Sequence, residues 1–396
     1  MPYLDANATE PLRPAARAAV LAALDVTGNP SSVHGPGRAA RRIVESARTA
    51  LATRFGGRPE DLVFTSGATE ANALAIHALA DRALADRALA DRALADRAPA
   101  NRALETDRRI IVGATEHDAV RAAAPGATVL PVDRNGVAEL GMLEALLKAG
   151  GPALVCLMLA NNETGTLQPI VEAAALCRQY GALLHVDAAQ AAGRIAIDLA
   201  ALGADSLAVS SHKLGGPMGA GALLLTPRLT AISGLIRGGG QERGRRGGTP
   251  PVPAIAGFAA AAGEDPPALA SLRDAVEQVA RDAGALVCGG DAPRLVNTTC
   301  LALPGVRADA QVIALDLDGI AVSAGAACSS GKVTASHVLA AMGLGALAGQ
   351  AIRVSLPWNA TEADVAAFAD AYPRMAARLR AALAGPLGGA LAQRAA

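Results

Sequence analysis

The runs ALLHVD, at 182–187, and SLAVSSHK, at 206–213, decide the fold of this chain. Each is a short, continuous apolar stretch that ends in polar residues, which is typical of a parallel strand buried on both faces. Similar runs occur at 62–64, 109–112, 128–131, 154–159 and 221–225. Segments with helical periodicity alternate with them at 15–24, 39–53, 70–80 and 170–180. This alternation predicts an α/β fold with a mostly parallel central sheet flanked by helices.

Lys213 ends the second run, directly before the glycine-rich turn 214–217. A lysine there is poorly placed for a solvated surface charge, and Asp187 ends the first run in the same way. This is the pair that pyridoxal 5′-phosphate (PLP) chemistry requires. The amine forms a Schiff base with the aldehyde, and the carboxylate keeps the pyridine nitrogen protonated. A structural salt bridge between two domains explains the same pair, and the spacing alone leaves both interpretations open.

The length predicts two domains, because 396 residues exceed the size of one ordinary hydrophobic core. The pattern of predicted helices and strands changes near GEDPP, at 263–267. The elements predicted after this point are a helix at 268–282, a strand at 294–303 and a helix at 308–318. We therefore predict a large α/β domain at 15–260 and a smaller α+β domain, formed by 1–14 with 261–396, which carries Cys328.

A low-complexity repeat interrupts the large domain. The unit Ala-Asp-Arg-Ala-Leu recurs between Leu79 and Arg97, and its composition favours helix. The period of the repeat does not match a helical turn, so the leucines spiral around the helix instead of forming one apolar stripe. We predict a solvated helical extension or hairpin at 81–98, with binding of a partner as the alternative.

Charge and hydropathy exclude several classes of protein. The 36 basic and 36 acidic residues balance, and no basic face indicates a nucleic-acid partner. The longest apolar runs, such as 153–160, are far shorter than a membrane span. The sequence begins without a charged or apolar leader, so we expect a cytoplasmic protein that contacts neither nucleic acid nor membrane.

The five cysteines indicate neither a disulfide framework nor a metal site, because they form no C-x-x-C pair. Four of them have apolar neighbours and are predicted to be buried: Cys156, Cys177, Cys288 and Cys300. Cys328 differs, because it lies in SAGAACSSG, at 323–331. Its small and polar neighbours predict a mobile backbone and an exposed thiol.

A candidate phosphate site lies in FTSGATE, at 64–70, which predicts a strand, a turn of small residues and the start of a helix. Free backbone N–H groups there, together with the Thr69 hydroxyl, form an anion site at the positive end of the helix. Ordinary helix capping by Ser66 or Thr69 is the alternative on this segment alone. Ser210 and His212 are further candidate donors to the same phosphate.

Polar side chains also follow or interrupt other predicted strands. His117 follows the strand at 109–112, where an imidazole can stack on a planar ring and exchange protons near neutral pH. The segment NNETG, at 161–165, and Gln190 carry amides suited to a ring hydroxyl. Arg353 stands in an apolar strand, where binding a carboxylate is the usual reason to bury a guanidinium.

Each of these signals has a structural alternative. His117 is equally explained as a satisfied structural histidine, and 161–165 as an ordinary turn. The glycine- and arginine-rich segment 238–249 is either a surface loop or a phosphate contact that reaches a neighbouring subunit. Together, however, the candidates make up the parts of a PLP enzyme that acts on an amino acid.

Motifs through nearly the whole chain resemble the cysteine desulfurases of the NifS and IscS type, which are class V aminotransferases of PLP fold type I. The motifs are YLD (3–5), NPSSVH (29–34), TSGATE (65–70), TEH (115–117), NNE (161–163), HVDAAQ (185–190), SSHK (210–213), GGQERG (239–244), GT (248–249), ACSS (327–330) and RVS (353–355).

The resemblance implies three catalytic residues. Lys213 would be the Schiff-base lysine, His117 a ring-stacking acid and base, and Cys328 the nucleophile on a mobile loop. It also implies that Asp187 contacts the pyridine nitrogen and Gln190 lies near the ring hydroxyl.

The resemblance also assigns the phosphate and the substrate. The phosphate would be held by Ala68, Thr69, Ser210 and His212. Thr249 would be donated to it from the second subunit of a homodimer. Asn162 and Arg353 would bind the substrate carboxylate.

The reaction implied by the resemblance converts L-cysteine to L-alanine. The sulfur would pass to Cys328 as a persulfide and then to an acceptor protein such as an iron–sulfur cluster scaffold. The alternatives are a selenocysteine lyase, another class V aminotransferase, or an inactive scaffold that carries sulfur proteins. The chain departs from the family at Ser211, Met218 and Glu10, and none of these changes removes a catalytic group.

Overall fold

The structure of the protein is a computed structural model that describes residues 1–80, 108–229, 232–325 and 335–384. Two of the predictions, for the repeat at 81–98 and for Cys328, lie outside the described residues.

Within the described residues, the larger sheet has seven strands. They are β1 (Leu62–Thr65), β2 (Arg109–Gly113), β3 (Thr128–Leu130), β4 (Ala153–Met158), β5 (Leu183–Asp187), β6 (Ser206–Ser210) and β7 (Gly221–Leu225). Their order is β1-β7-β6-β5-β4-β2-β3. Among these strands β7 runs opposite to the other six, so the predicted mostly parallel sheet is confirmed.

Side chains of this sheet alternate between two apolar layers. In β6, Leu207 and Val209 belong to the layer on one face and Ala208 to the layer on the other. Leu184 and Leu183 of β5 divide in the same way. Burial on both faces is the reason that the strands read as continuous apolar runs. Each fully buried leucine or valine contributes roughly 1.5–3 kcal/mol.

Helices cover both faces of the large sheet and pack against a second sheet. They are α1 (Pro14–Leu24), α2 (Gly35–Arg54), α3 (Ala68–Ala80), α4 (Asp118–Arg121), α5 (Leu140–Lys148), α6 (Ile170–Gln179), α7 (Leu199–Leu202), α8 (Val252–Ala262), α9 (Ala270–Asp282), α10 (Ala308–Leu317), α11 (His337–Ala341) and α12 (Glu362–Ala384). Local signals set some boundaries: His34 caps α2 by accepting a hydrogen bond from the backbone N–H of Gly37, and a proline occupies its first turn.

Four antiparallel strands form the second sheet in the described part of the chain. They are β8 (Leu286–Cys288), β9 (Thr298–Ala302), β10 (Ser323–Ala324) and β11 (Ala351–Ser355), in the order β10-β11-β9-β8. Phe368 and Tyr372 of α12 stack in its core, with ring centroids 5.0 Å apart. The N-terminal segment joins this sheet through bridges from Tyr3 to Ala321 and from Asp5 to Ser355.

The division into domains at 14/15 and 260/261 stays a prediction. The four cysteines that were predicted to be buried are buried in the structure. No helix among the described residues is long and apolar enough to cross a membrane.

Candidate active site

A cavity of about 420 Å³ opens at the edge of the large sheet where β1, β4, β5 and β6 end. The carboxyl ends of parallel strands are where α/β proteins place their ligands. Nine of the predicted site residues line the cavity: Ala68, Thr69, His117, Asn162, Asp187, Gln190, Ser210, His212 and Lys213. Thr249 and Arg353 are described but do not line it, and Cys328 lies outside the described residues. The roles of all twelve residues stay predictions.

Lys213 lies in a 3₁₀ turn, Ser211–Lys213, that follows β6 directly. Its Nζ donates hydrogen bonds to the carbonyl oxygens of Asn7, at 2.5 Å, and Ala8, at 3.0 Å. The glycines after it are required by packing, because a Cβ at Gly216 would overlap the Ser211 hydroxyl. The turn is therefore a packed element that directs the amine into the cavity.

Asp187 ends β5, and both of its carboxylate oxygens accept hydrogen bonds. Oδ2 accepts from Nδ2 of Asn72, at 2.7 Å, and Oδ1 from the backbone N–H of Ala189, at 2.9 Å. The Asn72 Oδ1 lies 2.9 Å from Nε2 of His185, whose Nδ1 lies 2.8 Å from the Ser206 hydroxyl. Burial lowers the pKa of His185 to about 3, so its ring is neutral at physiological pH.

Asn72 and His185 were not predicted as site residues. Both carried a signal in the sequence, since each is a polar side chain with apolar neighbours in a largely apolar element. What the sequence did not contain was their contact across 113 positions of the chain.

We expect acid to weaken the fold through His185. Its pKa is about 3 in the folded chain and 6.5 in an exposed histidine, so only the unfolded chain takes up this proton as the pH falls below 6.5. The stability is complete above that value and is lost toward pH 3, by about 2 kcal/mol between pH 7 and 5. Urea unfolding at both pH values measures the loss. In His185→Gln, whose side chain does not titrate, the loss of stability between pH 7 and 5 should be smaller by this amount. Equal dependence in the two proteins would contradict the assignment.

Glu116 is a fully buried acid close to Asp187. Its Oε1 accepts from the backbone N–H of Met158, at 2.6 Å, and no described residue satisfies its Oε2. Burial and the charge of Asp187 raise the pKa of Glu116 well above its usual value. Glu116 is therefore protonated more readily than an exposed glutamic acid.

His117 is the N-cap of α4, and its Nδ1 accepts a hydrogen bond from the backbone N–H of Ala119, at 3.0 Å. This bond holds the ring at the cavity wall. The neighbouring residue Asn162 lines the same cavity, and its carbonyl oxygen accepts from Arg353 Nη1, at 3.0 Å. Arg353 is buried in β11 and also pairs with Asp5, at 2.7 Å, so it lies behind Asn162 instead of lining the cavity.

The turn between β1 and α3 forms the opposite end of the cavity. Glu70 accepts a hydrogen bond from the backbone N–H of Ser66, at 2.7 Å, and its charge is paired with Arg246, at 2.9 Å. The backbone N–H groups at the start of α3 remain available to an anion. His212 also lines the cavity: burial lowers its pKa to about 4, so its ring is neutral at physiological pH, and its Nδ1 lies 2.8 Å from the Thr9 hydroxyl.

Thr249 follows a segment that is anchored on β1 of its own chain. Glu242 accepts two hydrogen bonds from Arg48, each of 2.8 Å, and one from the backbone N–H of Phe64, at 2.9 Å. Glu242 and Arg243 adopt positive φ angles of 49° and 59°, a conformation that non-glycine residues rarely take. The buried ion pair holds this strained turn, and Thr249 beyond it is exposed.

The cavity fits a ligand with an anionic end and a ring nitrogen. Gln190 lines the same cavity: its Nε2 donates to the Asn7 carbonyl, at 3.0 Å, and its buried Oε1 has no partner among the described residues. A buried acceptor of this kind is satisfied by a hydroxyl of a bound group. The amine of Lys213, the carboxylate of Asp187 and the start of α3 complete the donor set that PLP requires.

Known proteins resemble this chain over nearly its full length. The sequence profile of the family described as aminotransferase class-V matches residues 2–93 and 90–368. An IscS-like cysteine desulfurase of Mycobacterium tuberculosis is 38% identical over 402 residues, which cover 96% of this chain and 98% of the relative. The structure of a NifS-like protein from Rickettsia africae is 33% identical, with a TM-score of 0.82, and covers 95% of this chain and 99% of its own.

A third relative was solved with a ligand. The structure of SspA in complex with cysteine is 29% identical, with a TM-score of 0.75, over 90% of this chain and 99% of SspA. The extent of the profile match and the identity to full-length relatives decide the classification: this chain belongs to the aminotransferase class-V family.

Proposed function

We propose that this protein is a PLP-dependent cysteine desulfurase, which converts L-cysteine to L-alanine and transfers the sulfur to Cys328. The observation that carries the proposal is that Lys213 and the hydrogen-bonded carboxylate of Asp187 line one cavity at the carboxyl edge of a parallel sheet. The name of the Mycobacterium tuberculosis relative and the cysteine bound to SspA support the choice of reaction and substrate.

PLP would be held by residues of this chain at five points. Lys213 would bind its aldehyde, Asp187 its pyridine nitrogen, Gln190 its hydroxyl and His117 the face of its ring. Its phosphate would lie at the start of α3, against Ala68, Thr69, Ser210 and His212. When bound, PLP withdraws electrons from the attached amino acid and so makes its α-proton acidic.

The side chains of the cavity would then transfer the proton, hold the cofactor and orient the substrate. Lys213 would take up and return the α-proton at Nζ, and Asp187, held by Asn72 and the backbone N–H of Ala189, would present its carboxylate to the pyridine nitrogen. Asn162 would orient the substrate carboxylate, with Arg353 supplying positive charge behind it.

Cys328 would act as a thiolate. An S–S bond to the substrate sulfur would form as the C–S bond breaks; the electron pair of the C–S bond stays with the carbon, and protonation there gives alanine. The described residues on either side of this cysteine support its position. Ser336 donates to Glu163 Oε2, at 2.6 Å, and a side chain at Gly325 would overlap the same oxygen. Glu163 follows Asn162 in the chain, so the segment that carries Cys328 begins and ends beside the site.

We further propose a homodimer in which Thr249 of one subunit reaches the phosphate held by the other. Its exposure and the anchoring of its segment through Glu242 support this arrangement. Delivery of the sulfur to an acceptor protein, such as an iron–sulfur scaffold, and a cytoplasmic location complete the proposal.

The test is a product assay on the purified chain with L-cysteine. We expect alanine and, without a reductant, a mass increase of one sulfur atom on the peptide that contains Cys328. Cys328→Ala should lower alanine formation by about a hundredfold or more, because a nucleophile is lost. Cys177→Ala, which removes a buried thiol far from the cavity lining, is the control and should retain the activity. Wild-type rates in Cys328→Ala would instead indicate a selenocysteine lyase or another class V aminotransferase.

A further inference from the structure

A chain of four buried polar side chains leads away from the cavity at Asp187. It passes through Asn72 of α3 and His185 of β5 to Ser206 of β6, with contacts of 2.7, 2.9 and 2.8 Å. Asp187 is 6% exposed and the other three are fully buried. Three elements of the large sheet layer therefore meet in one hydrogen-bonded line that ends in the cavity.

The direction of every hydrogen bond in this line follows from its first member. An ionised carboxylate only accepts, so the Asn72 amide must present Nδ2 to Asp187. Its Oδ1 then faces His185, which must donate from Nε2. The Nδ1 of that ring is left as an acceptor, and the Ser206 hydroxyl supplies the proton. A single tautomer of His185 and a single orientation of Asn72 satisfy all the groups.

Packing alone does not explain these polar groups. The residues around Asn72 in α3 are small or apolar and fully buried, among them Ala71, Leu74 and Ala75. An apolar side chain at position 72 would suit this layer and the helix better, because asparagine is a weak helix former and its burial costs free energy. The hydrogen bond to Asp187 is the contact that an apolar residue would lose.

We propose that Asn72 and His185 are positioning residues, which hold the carboxylate of Asp187 as an anion oriented toward the pyridine nitrogen of the cofactor. His185 acts on Asn72, and Asn72 acts on Asp187; neither residue is required to touch the cofactor. The inference rests on the proposed function, since it assigns these residues to the site that binds PLP. It predicts that their loss changes the affinity for PLP and the electronic state of its ring.

The experiment compares the full-length wild-type chain with two pairs of variants. Asn72→Leu and His185→Leu remove the hydrogen bonds. Asn72→Asp places a second carboxylate against Asp187, and His185→Gln retains a donor close to the position of Nε2. Thr299→Val is the matched control, because the Thr299 hydroxyl is buried and has no partner among the described residues.

Three quantities are measured in each protein. They are the dissociation constant for PLP in titrations of the cofactor-free protein, the absorbance spectrum of bound PLP, and kcat and KM for L-cysteine. We expect Asn72→Leu and Asn72→Asp to weaken PLP binding at least tenfold, move the absorption maximum and lower kcat more than they raise KM. His185→Leu should show the same pattern, and His185→Gln should restore affinity to within about threefold of wild type. Thr299→Val should match the wild type throughout.

Unfolding midpoints of the cofactor-free variants separate positioning from a loss of structure. If Asn72→Leu does not fold, the contrast between His185→Leu and His185→Gln tests the same line. Wild-type affinity and an unchanged spectrum in Asn72→Leu, or equal values for the two His185 variants, would overturn the inference alone. A wild-type chain that does not bind PLP would overturn the proposed function, and the inference with it.

Discussion

Replacing Lys213 with alanine is expected to abolish covalent binding of PLP and to lower alanine formation from L-cysteine by about a thousandfold or more. Two functions would be lost at once, because in the proposed reaction the same amine binds the aldehyde and carries the α-proton. Nζ lies at the cavity and donates to the carbonyl groups of Asn7 and Ala8. No other lysine among the described residues lines this cavity, so none could replace it. The initial rate and the absorbance of the cofactor measure the two losses separately.

Lys213→Arg separates the positive charge from the chemistry of the amine. A guanidinium keeps the charge, but it does not lose its proton and therefore cannot serve as the nucleophile or the base. We expect it to be as inactive as Lys213→Ala. Lys148→Ala is the control, because Lys148 forms an exposed helical pair with Glu144 and should leave the rate unchanged. Turnover by Lys213→Ala within tenfold of the wild-type rate would contradict the assignment.

Glu242→Ala is expected to lower the free energy of unfolding by about 3–5 kcal/mol, since it removes the buried carboxylate that pairs with Arg48 and leaves only the exposed Glu45 as an ionic partner. Arg48 is 8% and Glu242 4% exposed, and the pair is bidentate. The backbone N–H of Phe64 loses its acceptor in the same variant. Urea unfolding of the cofactor-free protein measures the change.

Asp370→Ala provides the comparison for this ion pair. Asp370 and Arg374 lie 3.1 Å apart but are mostly exposed, so removal of the carboxylate should change the stability by less than about 0.5 kcal/mol. The double variant Arg48→Met/Glu242→Leu should recover part of the loss, because no unpaired charge stays buried. A cost below 1 kcal/mol for Glu242→Ala would mean that the pair does not hold the turn.

Much of the fold was predictable because its strands are buried on both faces. The apolar part of the run at 206–213, residues 206–209, became β6 with one residue added, and 109–112 became β2 in the same way. The helix α8 was not predicted, since its sequence VPAIAGFAAAA is apolar all round and shows no periodicity. It is buried against α1 and α2, which requires no polar face.

Site residues that stand at the ends of strands were predictable from the sequence. Hydrogen-bond and ion-pair partners that come from distant segments were less predictable. Asp187 and Lys213 stand at the ends of neighbouring parallel strands, so the topology alone brings them to one edge. Arg353 was expected to bind a carboxylate of the substrate, and the carboxylate it pairs with in the structure belongs to Asp5. The sequence offered several acids for such a pair, and only the bridge between residues 5 and 355 selects this one.

The contacts of Asn7 indicate that one wall of the cavity forms later than the rest. Its backbone and side chain are held by Ser355 and Thr298, and its carbonyl oxygen in turn accepts from Lys213. Residue 355 is synthesised long after residues 7 and 213, and chains acquire structure from the N-terminal end as they leave the ribosome. A nascent polypeptide therefore has the strands that surround the cavity before it has the residues that hold Asn7. We expect binding of the proposed vitamin B6 cofactor to be a post-translational event.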